Sequence, residues 1–346
     1  MQYYIGLDVS LAETSVCVVD RDGTIVREAK VHSDPDDLAA YIRDLDLPFH
    51  RIGMETGQLS NWLYHGMRDA DLPIICVESH HMSTALKAQR VKTDQNDARG
   101  IAHMMRVGWY KEVHVKSPEN SRYRVILNNR RWLIGRKIDL GNQIRGNLKT
   151  FGYKMGRVHW RHNFEKRVYE LLAEDEALLS IIKPMLRARA ILICEIADLE
   201  RQIRKIVRKD PVCRRLMTIP GIGPMNALAF VSSIDNPHIF RRSRDVGAFF
   251  GLTPSKYASG EVDRTGSITK AGDSLVRTYL YEAANVLMTR LRKPCGLRTW
   301  ALELVKRSSE RKARVALARK LAVIMHRMWI DGTTFSWGNV AADSPA

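Results

Sequence analysis

Cysteine is scarce and unpatterned in this 346-residue chain: Cys17, Cys76, Cys194, Cys213 and Cys295 are odd in number and show no Cys-x-x-Cys spacing. That excludes a disulfide framework and a cysteine zinc site, and leaves five ordinary reduced thiols. Long apolar runs are also missing. No segment approaches the ~20 residues of a spanning helix, and Met1-Gln-Tyr-Tyr lacks the basic-then-apolar order of a signal peptide, so a cytoplasmic protein with no membrane role is expected. The eleven histidines show no ligand spacing. Acidic charge is scarce overall and unevenly spread. Residues 1–110 hold 11 Lys/Arg against 16 Asp/Glu, whereas the rest holds 44 against 22. Each cation placed on a phosphate releases a condensed counterion, so a sequence pI near 9.8 with this asymmetry favours a nucleic-acid partner.

The few acids of the N-terminal part stand in a telling order. Asp8 closes Tyr4-Ile-Gly-Leu-Asp-Val-Ser10, Glu55 closes Gly53-Met-Glu-Thr-Gly57, and Asp94 and Asp97 lie in Lys92-Thr-Asp-Gln-Asn-Asp-Ala98. The first two end short apolar runs that read as strands. The other two are three apart at the start of a helical pattern, so they can face one way. Four carboxylates converging on one spot repel one another unless a cation lies between them, and hard Mg²⁺ is the usual solution. Ions held in this way drive phosphodiester chemistry. Blander roles compete: Asp8 satisfying backbone groups at a strand end, and Asp94 capping a helix with Asp97 in its first turn. Nearby Arg90, Lys92 and Arg99 read either as phosphate contacts or as solvated surface charge.

Periodicity divides the chain into three segments. Residues 1–112 give three β-rich runs around the turn Asp20-Arg-Asp-Gly23, then alternating helix and strand, which predicts a mixed α/β sheet. Residues 113–210 lose all strand signals and carry long charged helical patterns, including 178–207, which predict a helical hairpin or coiled coil. Residues 211–346 read as turn-rich and mostly helical. This last segment opens with Leu216-Met-Thr-Ile-Pro-Gly-Ile-Gly-Pro-Met-Asn226, which resembles a helix-hairpin-helix turn. Gly221 and Gly223 would let backbone N–H groups approach a phosphate, or would simply join two packed helices. The helix over 312–329 has an apolar and a basic face, read as core packing with a solvated or nucleic-acid-facing side. Trp132 and Trp160, among basic residues, are candidates either for base stacking or for the core.

Downstream stand Phe249-Phe-Gly-Leu-Thr-Pro-Ser-Lys-Tyr-Ala-Ser-Gly260 and Arg264-Thr-Gly-Ser-Ile-Thr-Lys-Ala-Gly-Asp273. Together with Asp8, Glu55, Asp94 and Asp97, these closely resemble the DEDD transposases of the insertion-sequence one-ten family, the bridge-RNA-guided serine recombinases. The resemblance spans nearly the whole chain. It implies a RuvC-like (RNase H-like) α/β catalytic domain with a Mg²⁺-binding acid cluster, a coiled-coil linker, and a C-terminal transposase domain. It also implies Ser259, within Tyr257-Ala-Ser-Gly260, as the nucleophile, although Ser255, Ser267 and Ser274 are close by and composition singles out none of them. Arg264 and Lys270 would hold nucleic-acid phosphates, with Gly221 and Gly223 as further contacts. Donor and target DNA, a guide-like bridge RNA and a homo-tetramer built as a dimer of dimers are the implied partners. The alternatives are a RuvC-like metal-dependent endonuclease or junction resolvase, which leaves the serine motif unused, and an actin-like phosphotransferase, which lacks a second glycine-rich phosphate loop.

Overall fold

A computed structural model describes residues 2–79, 93–156, 163–260 and 262–337. Arg90, Lys92 and Trp160 lie outside them. The described chain separates into two compact units, 1–118 and 119–346.

The first unit is built on a five-stranded sheet of order β3-β2-β1-β4-β5. Strands β1 (Tyr3–Val9), β2 (Glu13–Val19) and β3 (Ile25–His32) form an antiparallel meander. Strands β4 (Phe49–Glu55) and β5 (Ile74–Val77) then add in parallel beside β1, reached through helices α1 (Pro35–Asp44) and α2 (Ser60–Asp69). The expected mixed sheet is present.

Alternation along β1 decides what covers each face. Ile5 and Leu7 point to the side of α1 and α2, joining Leu38, Ile42, Ile52, Met54, Leu63 and Met67 in one buried cluster. Tyr4 points the other way, into a second cluster with Cys17, Val19 and residues of α3 (Asp94–Val107). Gly6 and Gly53 share that second face. A Cβ on Gly6 would lie 2.1 Å from the Ala98 carbonyl oxygen and 2.4 Å from the Ala102 nitrogen. One on Gly53 would lie 2.6 Å from the Met105 side chain. Helix α3 therefore rests directly on the backbone of β1 at Gly6, where only glycine fits, and lays the Met105 side chain over Gly53.

In the second unit, α4 (Pro118–Thr150) and α6 (Glu176–Lys209) run antiparallel. Arg130 donates to Glu200 at 2.6 Å near one end, and Asn147 approaches the Met185 sulfur at 3.8 Å towards the other. Around the latter end, α5 (Asn163–Leu171) closes a small core of Ile144, Leu148, Phe164, Val168, Ile182 and Leu186. At the former end Leu127, Ile203 and Val207 enter a much larger core. That core is completed by α7 (Pro211–Leu216), α8 (Pro224–Ile234), α9 (Val246–Phe249), α10 (Ser274–Thr289), α11 (Gly296–Lys306) and α12 (Glu310–Asp331). Helix α8 is buried from Ala227 to Ile234, the place expected of an apolar helix enclosed on all sides. Helix α12, read from sequence as half apolar and half basic, buries Ala313, Leu317, Leu321 and Met325.

Two strands here were not anticipated: β6 (Pro254–Ser259) and β7 (Val262–Ile268) pair as an antiparallel hairpin. Every residue of β6 is exposed. With no apolar face to bury, the segment carries none of the alternation by which strands are read from sequence. All five cysteines are free, and burial pushes the Cys17 and Cys76 thiols up to about 11, so they stay protonated packing residues. Among the described residues no helix is long and apolar enough to cross a membrane.

The α3 contact makes a direct prediction. Gly6→Ala forces Cβ into the backbone of α3, which cannot retreat as a flexible side chain would, so a loss of ~3 kcal/mol or more is expected. Chemical denaturation checks it. An unchanged midpoint would mean that α3 does not rest on β1.

Candidate active site

Strands β1 and β4 pair in parallel through Leu7 and Met54, so Asp8 and Glu55 follow side by side at their C-terminal ends. Both share the parity of Gly6 and Gly53 and hence the α3 face of the sheet. They line one cleft of about 330 Å³ together with Ser10, Leu11, Thr56 and Ser60. Both are half-buried. The loop after Glu55 is tied down: the Thr56 N–H donates to the Val77 carbonyl at 3.0 Å, and the Ser79 hydroxyl donates to the Thr56 carbonyl at 2.7 Å.

Helix α3 runs against β1 with the opposite sense. Its last turn lies beside the β2–β3 turn, where Arg106 donates to the Arg21 carbonyl at 3.2 Å. Its middle lies over Gly6. Its first turn, carrying Asp94 and Asp97, is therefore directed towards the Asp8 end of the strand. The cap of α3 is Thr93, whose Oγ1 accepts from the Asn96 N–H at 3.2 Å, so Asp94 is the first helical residue rather than the cap. Asp94 is exposed and Asp97 half-buried. The structure thus brings Asp8 and Glu55 into one cleft and aims the turn bearing the other two acids at it. Among the described residues, no three His, Cys, Asp or Glu side chains are drawn close enough to hold a metal.

Arg99, open from sequence between phosphate contact and free surface charge, is neither. Its Nε and Nη2 donate to the two Glu28 carboxylate oxygens at 2.6 and 2.8 Å, and Gln95 adds a third donor at 2.9 Å. This fork ties the first half of α3 to β3. Hydrogen bonds from Arg99 hold the Glu28 carboxyl below the usual glutamate range.

In the second unit Ser259 stands at the exposed end of β6, paired with Val262 and followed by Gly260 at φ +56°. Arg264 sits opposite Tyr257, and both are exposed. A salt bridge of 3.1 Å joins the neighbouring Lys256 and Asp263 across the hairpin. The base of the hairpin is rigid. Gly251 and Gly272, at φ +64° and +66°, lie so close to the opposing chain that a Cβ would come 2.3 Å from the Ala271 nitrogen and 2.1 Å from the Phe249 carbonyl oxygen. Arg277 donates to the Ala271 carbonyl at 2.6 Å and to the Phe250 carbonyl at 3.2 Å. Lys270, exposed and at φ +57°, belongs to this base. Asp273 caps α10 and pairs with Arg124 of α4. Sequence reasoning passed over Arg277 and Asp273. The Asp-Ser start of α10 was the available capping signal.

Gly221, at φ +86°, turns so that a Cβ would lie 2.7 Å from the Ala283 carbonyl oxygen of α10. Its missing side chain thus serves helix packing. Gly223 is the N-cap of α8, and a Cβ there would meet open space. Trp132 is 62% exposed, with the Arg136 guanidinium 5.5 Å from its ring centre. His326 is a buried core histidine, bonded to the Pro237 carbonyl and to Ser243, and desolvation lowers its pKa.

Two family models match this chain, one over the sheet unit and on through α4, the other within the helical unit. A DEDD transposase model matches residues 5–152, and the model described as transposase IS116/IS110/IS902 family matches residues 213–300. A Coxiella burnetii protein named transposase for insertion sequence element IS1111A is 27% identical, covering 96% of this chain and 91% of its own length. A Pseudomonas aeruginosa protein named probable family 20 transposase is 28% identical over 93% of this chain and 95% of its own. A Yersinia enterocolitica protein named transposase for insertion sequence element IS1328 is 31% identical over 59% of this chain and 61% of its own. The chain belongs to the IS110/IS116/IS902 transposase family. The family implies an enzyme that cuts and transfers DNA strands.

The Glu28–Arg99 fork sets a pH dependence. A carboxyl whose folded pKa is depressed contributes stability above its unfolded value, near 4.3, and loses that contribution as pH falls through the lower folded value. Both groups are partly exposed, so Glu28→Gln should cost only about 1 kcal/mol at pH 7. The gap between Glu28→Gln and the parent chain should close below about pH 4. Urea midpoints measured from pH 7 to pH 3 decide it; a gap that persists at acid pH would reject the charge-assisted role.

Proposed function

We propose that this transposase excises and inserts its insertion sequence through a serine-linked DNA intermediate, with a bridge RNA selecting donor and target. The observation that carries the reading is the pairing of two features within one chain. Asp8 and Glu55 share a cleft at the end of the sheet towards which the first turn of α3, with Asp94 and Asp97, is directed, and Ser259 is presented at the exposed end of a hairpin with a close-packed base. Cleavage by acids alone would leave that hairpin without a purpose.

In this reading residues 1–112 are a RuvC-like DEDD catalytic domain and 113–210 a coiled-coil linker. Residues 211–346 are the transposase domain, with the α7–α8 turn as a helix-hairpin-helix-like element. The Ser259 Oγ attacks the scissile phosphorus, the bond to the leaving sugar oxygen breaks, and that oxygen departs as a hydroxyl. The phosphoserine ester conserves the energy of the broken bond, so attack by another strand's hydroxyl rejoins DNA and frees the serine without ATP. Arg264 and Lys270 hold phosphates near Ser259, and Gly223 offers the N-terminus of α8 to the backbone, with Gly221 shaping the turn. The assembly is a tetramer, a dimer of dimers in the cytoplasm, in which acids and serine come from different subunits.

The donors are of the type that a hard divalent cation takes. Carboxylates of Asp8 and Glu55 with nearby hydroxyls offer only oxygen, and Asp94 and Asp97 would complete the ligands. Mg²⁺ bound there would neutralise charge on the scissile phosphate. The chain's own part is to hold the acids at the C-terminal ends of two neighbouring strands and to orient the scissile strand in the cleft they line.

The test is peptide mass spectrometry of the protein incubated with the DNA flanking its gene, Mg²⁺ and RNA transcribed from the element. A covalent DNA adduct on Ser259 is expected, lost in Ser259→Ala and in Asp8→Asn, with recombination reduced by at least ~10³-fold in each. Recombination by Ser259→Ala would overturn the serine mechanism. Cleavage without an adduct, abolished by Asp8→Asn, would instead make the protein a RuvC-like nuclease that hydrolyses DNA.

A further inference from the structure

Leu11 is 84% exposed, the largest exposure given for any large apolar side chain among the described residues. It lies three residues after Asp8, on the short β1–β2 connection, and lines the cleft that holds Asp8 and Glu55. Exposed turns ordinarily carry polar or glycine residues, which satisfy the backbone or free it. A single exposed leucine elsewhere on the surface would need no comment. This one stands at the mouth of the candidate active site.

The connection is also held in place. The Ser33 hydroxyl donates to the Ser10 carbonyl at 2.7 Å, and the Ser33 N–H donates to the Ala12 carbonyl at 2.9 Å. The two carbonyls flanking Leu11 are thus fixed by one residue. Ser33 Oγ in turn lies 2.8 Å from Thr14 Oγ1; since the Ser33 proton is committed to Ser10, Thr14 is the donor. Thr14 and Ser33 are both buried, at 0% and 4% exposure. Buried hydroxyls are tolerated only when bonded, and here those bonds hold a side chain out in water. Nothing in the fold gains from the position of Leu11.

We infer that Leu11 is a wedge that packs against the nucleobase adjoining the scissile phosphate and unstacks it from its neighbour. The inference rests on the reading of the Asp8–Glu55 cleft as the DNA-cutting site. A strand whose phosphate lies at the two acids places the next nucleotide at the cleft mouth. Leucine has nothing to offer phosphate, but its branched end matches the apolar face of a base. Apolar side chains inserted at base steps open and kink duplexes in this way. Unstacking beside the cut frees the strand to turn into the cleft lined by Asp8 and Glu55. Leu11 is therefore a positioning residue for DNA.

The experiment uses the full-length protein with its element's RNA and end-flanking duplexes that carry 2-aminopurine next to the cut, either paired or mismatched there. The parent protein should raise 2-aminopurine fluorescence on the paired duplex. Leu11→Ala should abolish that rise and slow cleavage by ~10-fold on the paired duplex, yet by less than ~2-fold on the mismatched one, where unstacking is already done. Leu11→Met should restore both signals, and the denaturation midpoint should not move, because the side chain is already in water. Equal slowing on both duplexes, or an unaltered rate on the paired one while Asp8→Asn is inactive, would overturn the wedge alone. Normal cleavage by Asp8→Asn would remove the cleft reading and the wedge with it.

Discussion

Helix α3 lies over β1 and β4 at Gly6 and Gly53 and packs beside them against Tyr4, Cys17 and Val19. At Gly6 the backbones lie closer than any side chain allows, at Gly53 the Met105 side chain lies on the strand, and these contacts set the height and tilt of α3 over the sheet. The Glu28–Arg99 fork then sets its rotation. Height from two glycines and rotation from one ion pair determine where the first turn, with Asp94 and Asp97, is aimed. The four acids are carried by that frame. They stand at the ends of elements whose interiors are apolar and closely packed, and carboxylates can be kept near one another only by a frame whose stability comes from elsewhere.

The second unit solves a different problem. A two-stranded hairpin with no buried face is marginal by itself. Here its base is gripped by Gly251 and Gly272 at close backbone contact, by Arg277 bridging carbonyls on both sides, and by Asp273 joining α10 to Arg124. The reactive end proposed for the hairpin projects from the large helical core, and none of the residues of β6 is buried in it. Basic residues outnumber acidic ones two to one beyond residue 110, so most of the chain's positive charge follows, in sequence, the strands that carry Asp8 and Glu55.

Much of the first unit was legible because its strands are short β-branched runs between turn residues. Tyr3–Val9 and Ile74–Val77 appear with the bounds that composition gives them. Asp8 and Glu55 were legible as strand ends for the same reason. The cap of α3 was misplaced by one residue: Thr93 and Asp94 are both good caps, and only backbone angles distinguish them. The reach of α3 to Gly6 leaves no local mark, since a glycine that makes room for a distant helix looks like any other. Arg99 was unreadable because its partner lies 71 residues away on β3. The β6–β7 hairpin was invisible for want of a buried face, although the segment that composes it was the most recognisable in the chain. Periodicity reports burial, and residues presented to another molecule are the ones it overlooks.

The exposure of β6 on all its residues has an evolutionary corollary. Side chains that contribute no packing can be exchanged without weakening the fold, so the tip can drift under selection for recombination alone. A copy silenced by a change there would still accumulate as a well-folded protein. If it assembles with its active siblings, such a copy would enter mixed complexes as a non-functional subunit. Elements of this kind would then carry in their own decay a brake on the active copies that remain.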